Sequence, residues 1–174
     1  MLGCALAVAL AAGCGTSQGD GGGGTPTDAQ VIDSGWVHVE IPEGWVAGEP
    51  LSEVWTETSQ DAPGDAATQQ VALSPENGHF TASMAVARAM AVLQVSGYQD
   101  FHRMDSLSSS DDDTRLRDNI AFTYVGDDDE EYEGVLWGAA DEDRHAVLVQ
   151  VTAKDLDDAL VEQIDTSLQV QSDE

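Results

Sequence analysis

The chain has 174 residues, of which 33 are Asp or Glu and 6 are Lys or Arg, for a formal net charge of −27. A field of that sign repels phosphate, which excludes nucleic acid as a partner, and it equally excludes a polybasic membrane patch. At 41% hydrophobic residues the chain is globular, and its only two cysteines, Cys4 and Cys14, leave the folded part without a disulfide.

Residues 2–13 are an uncharged apolar run, Leu-Gly-Cys-Ala-Leu-Ala-Val-Ala-Leu-Ala-Ala-Gly, ending at Cys14. A bilayer crossing takes about 20 residues, so the run is too short to span and instead suits the apolar region of a secretory signal. Ala11, Ala12 and Gly13 before Cys14 resemble the bacterial lipobox, with Leu10 one place further from the cysteine than the commonest pattern. Small residues let a signal peptidase grip an extended backbone, and the thiol is the atom that takes diacylglycerol. Residues 1–13 are therefore expected to be a cleaved lipoprotein signal, with Cys14 lipidated at the extracytoplasmic face of the cell membrane. Two or more acyl chains anchor stably where one is marginal. Such a signal opens with Lys or Arg, and Met1 is followed directly by the apolar run, so the true start is expected upstream.

Residues 14–34 read as a Gly-rich, disordered tether with a reach of roughly 25 Å. The Gly21–Gly24 run is not a phosphate loop, because no Gly-Lys-Ser/Thr ends it and no helix pattern follows. A single domain is expected over 35–170, with 171–174 as a tail. Trp36–Ile41 alternates, with Val37, Val39 and Ile41 on one face of a strand, and Pro42 to Trp45 makes a turn. Glu53–Thr58 and Ala67–Leu73 are expected strands joined by a loop containing Pro63 and Gly64.

Thr81–Val95 is expected to be a helix, with Met84, Ala87, Ala91 and Val95 as its stripe and Gly97 ending it. Phe80–Arg88 also alternates, which leaves a strand open there. Tyr98–Met104, Arg115–Val125, Tyr132–Gly138 and Arg144–Thr152 follow as strands. Their short acidic turns suit antiparallel hairpins. Asp155–Leu168 closes the domain as a helix with Leu156, Leu160, Ile164 and Leu168 on one face and an acidic first turn. The expected fold class is α+β, an antiparallel sheet packed by two helices.

Several of these segments resemble a known family. A first strand ending Ile41-Pro42-x-Gly44-Trp45, a hairpin with Tyr124, Gly134 and Trp137, and a close of Val149-x-Val151-Thr152 before a helix ending Ile164-Asp-Thr-Ser167-Leu168 are similar to small exported domains of the PsbP-like type. Actinobacterial lipoproteins of the LpqN type share this layout behind a lipobox and a polar tether. The resemblance covers roughly residues 35–170. It implies a PsbP-like sandwich used mainly as a binding or accessory module, and it carries over no active-site residue.

The search for chemistry is short. His38, His79, His102 and His145 show no metal-ligand spacing and read as surface or edge residues. No catalytic residue and no cofactor is expected. Two acidic runs are weak calcium candidates, Asp111 to Asp113 and Asp127 to Glu131, with Asp111, Asp113, Asp127 and Asp129 the ligands to test. Neither has EF-hand spacing, so both read first as solvated turns. Of four tryptophans, Trp45 stands just past a Pro-Gly turn and is the one that could rim a ligand pocket; core packing is the default for the rest. The expectation is a non-enzymatic binding or accessory module of the cell envelope, whose partner is an envelope protein or small ligand. The alternatives are an envelope hydrolase and a loosely calcium-responsive domain.

Overall fold

The computed structural model describes residues 29–96, 98–104, 106 and 116–171. Its strands are β1 (Ala29–Asp33), β2 (Val37–Pro42), β3 (Val46–Ala47), β4 (Glu57–Gln60), β5 (Gln69–Ser74), β6 (Gln99–Arg103), β7 (Arg117–Val125), β8 (Glu131–Ala140), β9 (Ala146–Ala153) and β10 (Gln169–Val170). Helix α1 (Ala82–Val95) follows β5, and α2 (Asp158–Ser167) follows β9. The expected α+β class and both helices are present. Cys14, Gly97, Asp111 and Asp113 lie outside the described residues.

Seven strands form one antiparallel sheet in the order β3-β4-β5-β9-β8-β7-β6, and β1-β2-β10 form a second, smaller one. The central strand β9 explains the layering. All eight of its residues are buried, so its alternation separates two cores rather than core from solvent. Val147, Val149 and Val151 join Val37, Val39 and Ile41 of β2 and Leu160 and Ile164 of α2 on one side. Leu148 joins Leu136, Ile120, Phe122 and the inner residues of α1 on the other. The molecule is a three-layer sandwich, with α1 on one face of the large sheet and α2 with the small sheet on the other.

Helix α1 begins where Thr81 Oγ1 accepts the Met84 N–H at 3.3 Å, an N-cap worth about 1 kcal/mol. Its buried residues are Ala82, Ala85, Val86, Met90 and Leu93. The stripe expected to face the core, Met84, Ala87, Ala91 and Val95, faces solvent instead, with Met84 52% and Val95 82% exposed. Close seating selects the small side: a Cβ on Gly138 of β8 would stand 2.7 Å from the Ala82 carbonyl oxygen, so the sheet admits the helix backbone itself.

Helix α2 starts at Asp158, three residues later than expected, behind the Asp157 cap, whose carboxylate accepts the Ala159 N–H at 2.8 Å. Its stripe is the expected one: Leu160, Ile164 and Leu168 are buried, each stabilising by about 1.5–3 kcal/mol. The indole N–H of Trp137 on β8 donates to Asp165 Oδ1 at 2.8 Å and ties helix to sheet. Arg117 donates to the carbonyls of Asp165 and Leu168 at the helix end, where free carbonyls favour a cation.

Three expectations are corrected. The segment 14–34, read entirely as tether, contributes β1, which pairs along β2 with Ile32 opposite Val39. Its five residues alternate and Ile32 packs on the core, a pattern masked by the glycines before it. The strand placed at Glu53–Thr58 is β4 at Glu57–Gln60, and Leu51 and Val54 are exposed in the preceding loop. The sheet is also two sheets, because β2 leaves the large one to cover it.

Candidate functional site

On the α1 side of the large sheet, past the C-terminal end of the helix, lies a groove of about 560 Å³. That is within the 300–1,000 Å³ usual for ligand pockets. All three tyrosines of the chain line it. Tyr124 of β7 and Tyr132 of β8 are directly opposed in register, because the short turn between the strands fixes their pairing. Their rings are offset-stacked, with centroids 5.3 Å apart and planes 13° apart. Tyr98, just ahead of β6, lays its ring 4.5 Å from that of Tyr124.

The opposite wall comes from β4 and β5. Gln60 and Gln70 are cross-strand partners, and Gln60 Nε2 donates to Gln70 Oε1 at 2.9 Å. Asp61 holds the connecting loop by accepting from the Thr68 N–H at 2.8 Å and the Gln69 N–H at 3.1 Å. Burial alone would raise the Asp61 pKa, but these bonds and the Thr68 hydroxyl bring it below the usual value. Thr152 of β9 forms the floor between the walls. One row further along the same face, Thr58 Oγ1 and Gln150 Oε1 are buried with no hydrogen-bond partner among the described residues.

Charge is arranged at the rim. Lys154, the only lysine, donates to Asp128 Oδ2 at 2.6 Å and stands 5.4 Å over the Tyr132 ring. The Tyr132 hydroxyl donates to the same carboxylate oxygen at 3.1 Å. The Lys154 bond, aided by Tyr132, holds Asp128 below the usual carboxylate range and pushes Lys154 up. Burial, reinforced by the neighbouring tyrosines and partly offset by a hydrogen bond from Thr152, pushes Tyr124 up to about 12. Apart from Asp127, every group on the groove wall that offers hydrogen bonds is then neutral, or already paired, at physiological pH.

Asp127 lines this groove and Asp129 sits exposed at φ +60° in the adjoining turn. Among the described residues no group of three or more His, Cys, Asp or Glu side chains is placed to hold a metal ion. Trp45, expected to rim a pocket, packs half-buried on the α2-side core, with its carbonyl accepting from Gln30 of β1 at 2.9 Å. The tryptophan beside an open groove is Trp55. With Val54, Val92, Leu93 and Leu148 it lines an apolar groove of about 530 Å³ along the other flank of α1.

The histidines divide. His38 and His102 stay apart, but His79 and His145 meet across an isolated bridge with rings 4.4 Å apart, and Trp36 lies 5.0 Å from His145. His145 also bonds Asp141 through Nδ1 at 3.0 Å. Sequence spacing held no sign of this pair, because it is made by two distant turns.

No protein-family model matches the sequence, and no curated protein matches it. Solved structures do. The Ran-binding protein Mog1p of Saccharomyces cerevisiae superposes with a TM-score of 0.57 at 11% identity, over 83% of this chain and 96% of that one. The cyanobacterial PsbP of a Synechocystis species gives 0.56 at 13%, over 88% and 98%. LpqN of Mycobacterium tuberculosis, described as involved in cell envelope biogenesis, gives 0.46 at 14%, over 86% and 87%. The chain thus has the PsbP-like fold that its sequence resembled, a fold it shares with Mog1p.

Proposed function

We propose that the chain is a lipid-anchored, extracytoplasmic protein whose domain is a non-enzymatic binding or accessory module of the cell envelope. The observation that carries this reading is Cys14, which ends an apolar run through the small residues Ala11, Ala12 and Gly13 and precedes a polar, Gly-rich stretch. The net charge of −27 supports a covalent anchor, since an anionic lipid surface repels the domain itself. Among the described residues no helix is long and apolar enough to cross a membrane. The tyrosine-lined groove supplies the binding half of the reading, on a fold that a Ran-binding protein also uses.

Labelling with radioactive palmitate, followed by membrane fractionation, tests the anchor. The expected result is a labelled product in the membrane fraction, with label and membrane retention both lost in Cys14→Ser. Retention of the Cys14→Ser protein in membranes, without label in the parent, overturns it.

A further inference from the structure

We infer that the tyrosine-lined groove binds a neutral, polyhydroxylated ligand, a short saccharide, resting on the reading of the domain as a binding module. Charge removes the competing classes first. An anionic ligand meets a net charge of −27, and the one lysine at the rim is already committed to Asp128 at 2.6 Å. A cationic ligand would meet Asp127, but the second carboxylate, Asp128, and the open face of Tyr132 that would complete a cation site are taken. Lys154 occupies both, standing 5.4 Å over the ring. Apart from the Asp127 carboxylate, what the groove presents is neutral.

The side chains that remain match sugar hydroxyls. Gln60 and Gln70 each offer both donor and acceptor atoms, as a ring hydroxyl does, and the Thr68 and Thr152 hydroxyl oxygens, whose protons go to Asp61 and Tyr124, remain acceptors. Beyond the bond between them, Gln60 Oε1 and Gln70 Nε2 have no partner among the described residues. The acceptor Gln150 Oε1, on a residue 7% exposed, is buried without a partner one row from this wall. Tyr98 supplies the apolar element: it is 42% exposed at the groove edge, held tilted against Tyr124, and offers an aromatic face to the C–H face of a sugar ring. The volume of about 560 Å³ admits a few linked rings.

The test is isothermal titration of the full chain in a non-glycosidic detergent. The probes are linear oligosaccharides of glucose, mannose, galactose and N-acetylglucosamine, with spermine and inorganic phosphate as charged controls. At least one neutral oligosaccharide is expected to bind and both charged probes to fail. Tyr98→Ala and Gln70→Ala should each weaken binding by about tenfold, the loss of one contact or hydrogen bond, while Trp55→Ala in the apolar groove leaves it unchanged. Circular dichroism confirms that each variant is folded. Binding by no neutral sugar, or binding indifferent to both groove variants, overturns the inference. Spermine binding abolished by Tyr98→Ala would overturn the ligand class while leaving the binding module standing. Failure of every probe, together with failure to capture any component of solubilised envelope, would overturn both.

Discussion

The ring of Phe122 occupies the space that a side chain at Gly134 would need: a Cβ built on Gly134 would lie 2.4 Å from Phe122 Cζ. The two residues are directly opposed on β7 and β8, so the ring lies across the neighbouring strand and continues a stack running from Phe101 through Phe122 to Tyr124. Three ring atoms lie within 3 Å of that Cβ, so a small rotation does not clear it. Gly134→Ala should therefore destabilise by about 1–3 kcal/mol through overpacking, read as a fall in thermal midpoint. Adding Phe122→Leu should recover part of the loss. A Gly134→Ala protein as stable as the parent would show that the stack is looser than its geometry.

Trp137 and Asp165 give a second test. The indole is buried, and its N–H donates to the Asp165 carboxylate across the gap between sheet and α2. Asp165→Ala leaves that donor unpaired in the interior and should cost about 1–3 kcal/mol in urea denaturation. Asp165→Asn retains a side-chain acceptor and should cost distinctly less. Equal losses would place the contribution of Asp165 elsewhere than in this bond.

How α1 was read shows where sequence periodicity runs out. The residues 84, 87, 91 and 95 recur at helical spacing, and so do 82, 86, 90 and 93. An Ala-rich helix has apolar side chains on nearly every face, so the pattern marks a helix without saying which side is wet. Gly138 and the sheet decide it, and that information is not local. Met90→Ala should cost about 2–5 kcal/mol, while Met84→Lys stays within about 0.5 kcal/mol, both measured by urea denaturation. The reverse order would return the core to the stripe read from the sequence. α2 carried no such ambiguity, because its outer positions are acidic and its inner ones are Leu and Ile.

The candidate groove was legible in part. Counting across the short turn after β7 pairs Tyr124 with Tyr132, so two of its three rings follow from the hairpin alone. Tyr98 arrives just ahead of β6, after a helix, and Gln60 and Gln70 depend on a β4–β5 register two to four residues away from where propensity put the strands. Val54 and Trp55 draw a strand reading to the loop before β4, while the paired residues themselves are Glu, Thr, Ser and Gln, poor in the apolar alternation that marks a strand.

Tyr124 carries the pH prediction. Burial is the largest cause holding its hydroxyl protonated up to about pH 12, against 10 for a free tyrosine. Between those values the unfolded chain has released a proton that the folded chain still holds. The stability associated with Tyr124 is thus fully present below pH 10 and is lost as pH rises toward 12. The shift sets a ceiling of roughly 2.7 kcal/mol, which the partial exposure of the ring reduces to about 1–2 kcal/mol. Urea denaturation of the parent across this range should show that decline. Tyr124→Phe, which has nothing to ionise there, should decline less steeply, whatever it costs at neutral pH. Parallel curves for the two proteins would mean that the Tyr124 hydroxyl is hydrated in the fold.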